Sequence, residues 1–168
     1  LVFRCSDREP HKIRARLSKR DDFPEDDFIS VRLDTFNDRR RAYQFTVNPL
    51  GIQSDAWHDE GLNRQDATFD TLWYSRGQLT SWGYLVFMTI PWKSLRFPAA
   101  REQTWGILFT RRIPRNNELS HYPEVSRKIS GFLVQAAEMK GLEDISPGRN
   151  IQFIPYASLL SSRFADFR

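Results

Sequence analysis

Between Asp27 and Gln53 the chain reads DFISVRLDTFNDRRRAYQFTVNPLGIQ, and twice in this stretch apolar side chains recur at every second position. Ile29, Val31 and Leu33 alternate with Ser30, Arg32 and Asp34, and Tyr43, Phe45 and Val47 alternate with Gln44, Thr46 and Asn48. A period of two places each set on one side of an extended backbone, so the stretch predicts two half-buried strands. The segment Thr35 to Arg41 has no apolar period and carries the Asn and Asp that favour a turn, so the strands should pair antiparallel. The polar face of such a hairpin offers a carboxylate, an amide, a hydroxyl and a guanidinium. It can hydrogen-bond a hydroxylated ligand, and nothing in it performs chemistry by itself.

The same reading extends along the chain. Leu1 to Cys5 predicts a short strand, and His11 to Leu17 alternates as an edge strand would. Asp21 to Asp26 predicts a loop, and Ser54 to Asp70, polar with Gly61, predicts the long surface loop. Leu72 to Ser75 predicts a strand closed by Arg76-Gly77. Gln78 to Pro91 predicts a longer strand, followed by a helical turn begun by Pro91. Thr104 to Ile113 alternates again, with Trp105, Ile107 and Phe109 on one face. Arg115 to Ser130 is polar and turn-rich, Gly131 to Met139 fits either strand or short helix, and Ile151 to Leu160 predicts a final strand broken by Pro155. With about seven to nine strands and no strand followed by a helical period, the pattern predicts an all-β, antiparallel β-sandwich of jelly-roll type.

Composition narrows the function classes. The 168 residues fit a single domain, 1–168, and 40% hydrophobic residues with 14% aromatics suffice for a core. No run reaches the roughly 18 to 20 apolar residues of a membrane helix. The opening LVFRCSD reads as a strand already under way, so the chain is expected to be a piece of a longer protein. One cysteine, Cys5, excludes an internal disulfide and a thiolate metal site. The net charge of +4 is carried by clusters at Lys12 to Arg20, Arg39 to Arg41 and Arg111, Arg112 and Arg115, each beside acids. That mixture predicts solvated loop charge, and no nucleic-acid partner is expected.

The ordered series LDTFNDRRRAYQFTVNPLGIQSD, FDTLWYS, GYLVFMTIPWKSLRFP, TWGILFTRRIPRNNE and PGRNIQFIPYA resembles the family-9-like carbohydrate-binding modules at the N-terminal side of large bacterial envelope proteins. The resemblance covers nearly the whole chain. It implies a jelly-roll sandwich, poly- or oligosaccharide binding in carbohydrate catabolism, and a setting in the cell envelope (periplasm or outer membrane) or outside the cell. It also implies a C-terminal β-barrel region of the same polypeptide as a partner. The family-9 modules of xylanases clamp a sugar between two tryptophans and bind it with acidic, amide and arginine side chains. Two carboxylates of that pattern are replaced here: Ser30 stands where relatives often carry Glu, and Phe87 stands where Glu would precede Ile90-Pro91.

The candidate saccharide-binding residues are Trp57, Trp73, Arg32, Gln44 and Asn48. Trp57 sits in the predicted polar loop and Trp73 just after it, so both are stacking candidates, whereas Trp92 and Trp105 are expected in the core. Arg32, Gln44 and Asn48 would supply a polar floor. Asp34, Asn37, Asp38, Asp55 and Asp70 could supply oxygens to a structural calcium ion, although their spacing is not that of an EF-hand. No other cofactor is expected. His11, His58 and His121 stand far apart in polar segments and are expected at the surface, and no GxSxG or HExxH pattern is present. The chain therefore reads as a non-catalytic binding module. A structural domain packed on its own β-barrel, and a glycoside hydrolase using two of its carboxylates, are the alternatives.

Overall fold

The computed structural model describes residues 1–148, apart from 23, 24 and 63, together with 158. The strands are β1 Val2–Ser6, β2 Phe28–Asp34, β3 Arg41–Val47, β4 Gln53–Asp59, β5 Arg64–Asp66, β6 Tyr74–Thr80, β7 Gly83–Thr89, β8 Glu102–Ile113, β9 Glu118–Tyr122 and β10 Ala137–Glu143. The small sheet has the order β1-β7-β6, and the large sheet runs β10-β8-β2-β3-β4-β5, with β9 on the same edge of β8 as β10. All pairings are antiparallel, and the two sheets pack as an antiparallel β-sandwich. The chain changes sheet between β1 and β2, β5 and β6, and β7 and β8, an interleaving of the kind found in jelly-roll sandwiches.

The hairpin predicted from the alternation is β2 and β3, in the register that sets Val31 opposite Phe45 and Arg32 opposite Gln44. Ile29, Val31, Leu33, Tyr43, Phe45 and Val47 face the small sheet, where Tyr84, Val86 and Met88 of β7 meet them. Asp34 closes the turn by accepting the Arg39 N–H at 2.8 Å, which holds Asn37 and Arg39 in left-handed backbone conformations. One expectation fails. Both strands are buried on both faces, because segments outside the sheet lie over the polar side: Ser30 is 2% exposed, Arg32 9% and Gln44 8%.

Other departures have local causes. Residues 13–17 form no strand; Asp26 and Asp27 accept the N–H groups of Arg16 and Arg14 and hold the segment as a strap beside β2. Most of the predicted loop 54–70 is strand, β4 and β5. Its polar Asp55 points into the fold, where the Arg20 guanidinium and the Thr71 N–H satisfy it. The turn expected at Arg76-Gly77 lies instead at Ser81-Trp82, and Gly77 sits inside β6. There its missing side chain lets the backbone at Pro49 approach, since a Cβ would lie 2.3 Å from the Pro49 carbonyl oxygen. Gly131 to Gln135 forms loop and a short 3-10 turn, and only Ala137 onward is strand. The predicted strand 151–160 falls outside the described residues, apart from 158.

Candidate functional site

The outer face of the large sheet gathers polar groups from six strands, β2, β3, β4, β5, β8 and β9. Arg32 and Gln44 are cross-strand partners, and the Arg32 Nε–H donates to Gln44 Oε1 at 2.9 Å. Gln65, on β5, donates its amide N–H to the same oxygen at 3.0 Å. His58 pairs with Ala42 on one side and Gln65 on the other, so its ring stands on the face that carries Gln44. His121 on β9 lies opposite Thr110 of β8, with Oγ1 and Nδ1 3.0 Å apart.

Phe132 covers this row. Its ring lies 5.0 Å from the Arg32 guanidinium carbon, 6.1 Å from the His58 ring and 5.6 Å from the His121 ring. The position is set by Glu60, just beyond β4, whose carboxylate accepts the Phe132 and Leu133 N–H groups at 2.5 and 3.0 Å and lies 3.1 Å from His58 Nε2. Gln135 braces the loop internally by donating to the Gly131 carbonyl at 2.7 Å and accepting the Ser126 N–H at 2.8 Å.

Electrostatics follow from burial. Arg32 is brought down to about 10 by loss of solvent, with the Glu60 charge opposing that shift. His58 is lowered by burial and by Arg32, against the pull of Glu60, and His121 is lowered by burial and Arg32. Both imidazoles are therefore neutral at pH 7, which leaves one cation and two rings able to donate or accept. Arg32 Nη1 and His58 Nδ1 are buried without a hydrogen-bond partner. Such a constellation suits recognition of oxygen-bearing groups. Glu60, the carboxylate in contact with it, is already engaged by two backbone N–H groups.

The five residues chosen from sequence do not form one site. Arg32, Gln44 and Asn48 share the outer face, but Asn48 is wholly buried and acts as a clamp: it donates to the Arg16 carbonyl and Asp26 and accepts the Leu50 and Ile52 N–H groups. Trp57 is not in a loop; it lies in β4 on the inner face, its ring 4.0 Å from that of Tyr43 and 5.4 Å from that of Phe69. Trp73 is 2% exposed and packs edge-on against Phe45, so it offers no stacking face to solvent. Trp92, expected in the core, is 41% exposed with an edge contact to the buried Trp105. His58, expected at the surface, is buried at 2% exposure.

The proposed calcium oxygens are scattered. Asp34 and Asp38 accept turn N–H groups, and Asp55 and Asp70 bind Arg20. Among the described residues no three His, Cys, Asp or Glu side chains converge as a metal site. The groups that sequence reasoning missed, His58, Glu60, Gln65, His121 and Phe132, share no period and no motif. The one available signal was the His58-x-Glu60 pair, which stands two residues apart, the spacing of one strand face.

The chain matches no protein-family model, no curated protein and no solved structure.

Proposed function

We propose that the chain is a non-catalytic saccharide-binding module and that it binds on the outer face of the large sheet, around Arg32, Gln44 and Gln65, with Phe132 as the aromatic neighbour. The observation that carries this reading is the linked row of Arg32, Gln44 and Gln65, which leads from the covered guanidinium to an exposed amide at Gln65. Guanidinium and amide groups fixed at neighbouring strand positions match the vicinal hydroxyls of a sugar, and a nearby ring suits its C–H face. The resemblance to family-9-like modules supports the same class, with two carboxylates of that pattern replaced by Ser30 and Phe87. The reading places the module in the bacterial envelope or outside the cell, where it would hold a poly- or oligosaccharide near another domain and raise its effective concentration.

A glycan-array screen followed by calorimetry tests the proposal. Binding should be lost in Arg32→Met and weakened in Gln44→Ala, with the fold intact by circular dichroism. A folded wild-type chain that binds no glycan, or an Arg32→Met variant that binds as wild type, overturns it.

One observation favours a second reading, a domain that packs on the β-barrel region of its own polypeptide. On the outer face of the small sheet Val2 lies opposite Phe87, and both are exposed, at 65% and 37%. Val2→Asp and Phe87→Asp in the barrel-bearing protein would release the domain to proteolysis under this reading and change nothing under the first.

A further inference from the structure

At one end of the sandwich, where β1 and β7 of the small sheet face β2 and β8 of the large one, lies a second polar cluster unrelated to the outer face. Cys5 and Tyr84 are cross-strand partners, Arg111 pairs with Ile29, and Asp27, two residues before Ile29, continues the same face of β2. Asp7 follows β1 and Arg115 follows β8. Arg115 Nη2 donates to Asp7 Oδ1 at 2.6 Å, Arg111 Nη2 lies 3.7 Å from Asp7 Oδ2, and the Arg111 guanidinium carbon lies 5.5 Å from the centre of the Tyr84 ring.

The bonding of this cluster is lopsided. Among the described residues eleven buried side-chain nitrogens and oxygens lack a hydrogen-bond partner, and seven of them are here. Five are donors: Nε and Nη2 of Arg111, Nε and Nη1 of Arg115, and the Tyr84 hydroxyl, which has the Cys5 thiol, a weak acceptor, as its cross-strand neighbour. The other two are Asp7 Oδ2 and Asp27 Oδ1. Asp27 and Tyr84 are wholly buried, while the side chains of Arg111 and Arg115 keep 23% and 14% of their surface in solvent. Burial raises the Asp27 carboxyl, against the Arg14 N–H that it accepts. Asp7 is held as a carboxylate by Arg115 and the Glu9 N–H despite its burial. Two guanidinium groups thus share Asp7, and five of the seven unused atoms are donors.

We propose that this end of the sandwich is a binding site for a small oxyanion, held between Arg111 and Arg115 with the Tyr84 hydroxyl beneath. Oxygen acceptors bearing negative charge are the chemistry that satisfies two forked guanidinium groups and a phenol together. Chloride offers no such directional acceptors, and a neutral sugar lacks the charge that pairs with a guanidinium. The site is independent of the saccharide reading, since none of its residues touches the outer-face cluster.

The experiment titrates the 168-residue chain with inorganic phosphate by calorimetry and follows thermal unfolding in phosphate, sulfate or acetate against sodium chloride at matched ionic strength. Saturable binding with a saturating rise in Tm is expected. Arg111→Lys and Arg115→Lys keep the charge but lose the fork, and each should weaken phosphate binding by at least about tenfold. Tyr84→Phe keeps the ring and the packing, so it remains interpretable if an arginine variant fails to fold; it should weaken binding by about tenfold. A Tm rise that never saturates, as general salt exclusion produces, overturns the proposal. So does unchanged phosphate affinity in folded Tyr84→Phe and in whichever arginine variants fold. Glycan binding that survives in these variants shows the outer-face site to be intact.

Discussion

Arg32 and the pair Arg111 and Arg115 are withdrawn from solvent by opposite means. On the outer face of the large sheet Arg32 stands alone, bonded to an amide and covered by a phenyl ring, with no carboxylate bonded to it. At the end of the sandwich Arg111 and Arg115 share Asp7, with Asp27 behind. The contrast shows in their ionisation: Arg32 is brought down to about 10 by lost hydration, whereas Arg115 is raised by its bond to Asp7. A shared carboxylate holds the charge of Arg111 and Arg115 in place and leaves their remaining nitrogens for an acceptor. At Arg32 an amide and a ring stand in place of a counter-ion.

The largest effect should come from breaking the paired site. Asp7→Ala leaves two part-buried guanidinium groups without their carboxylate and should destabilise the chain by about 3 kcal/mol in urea unfolding. Glu60→Ala should cost about 2 kcal/mol, because it orphans two backbone N–H groups, and hydrogen exchange at Phe132 and Leu133 should rise with it. Arg32→Met should change stability by no more than about 1 kcal/mol, since no partner charge is left unpaired in contact with it. A loss from Arg32→Met as large as that from Asp7→Ala would erase the distinction between the two sites.

Proton linkage sharpens the same contrast with smaller effects. The folded pKa of His58 lies below its ordinary value of 6.5, so the unfolded chain takes up a proton first as pH falls. Its contribution is intact above pH 6.5 and declines below it, and His58→Gln should flatten the stability profile between about pH 7 and 5. At the other end Asp7 and Asp27 work in opposite senses. The lowered carboxyl of Asp7 stabilises above its ordinary 3.8 and loses that contribution as pH falls through its folded value. The raised carboxyl of Asp27 favours the fold in acid and opposes it above its folded value. Asp27→Asn should therefore raise stability slightly at pH 7 and leave it unchanged near pH 3, as read from urea midpoints.

The hairpin 28–47 was legible because its signal is local: a period of two together with turn-forming Asn37 and Asp38. β4 was not legible, since Asp55, His58 and Asp59 give it the composition of a loop. What makes it a strand is an arginine 35 residues away, Arg20, that satisfies Asp55, and a cross-strand neighbour, Gln65, beside His58. Gly77 misled for a related reason. A glycine marks a turn or a close approach equally well, and only the backbone at Pro49 decides between them. Of the candidate site, Arg32 and Gln44 were legible as same-face polar residues. Trp57 and Trp73 were misplaced because a tryptophan amid polar neighbours in sequence can still have Tyr43, Phe69 and Phe45 as neighbours in space.

By itself the sequence determined the all-β class and which side chains share a face, because alternation is a property of the extended backbone and needs no partner. Only the tertiary structure decided which faces are covered and which charges meet. Phe132 reaches Arg32 across 100 residues of chain and Arg115 reaches Asp7 across 108, neither with any period or motif to announce it. Such contacts arise where strands from distant segments end beside one another, and burial, charge pairing and the unpartnered atoms of both sites depend on them.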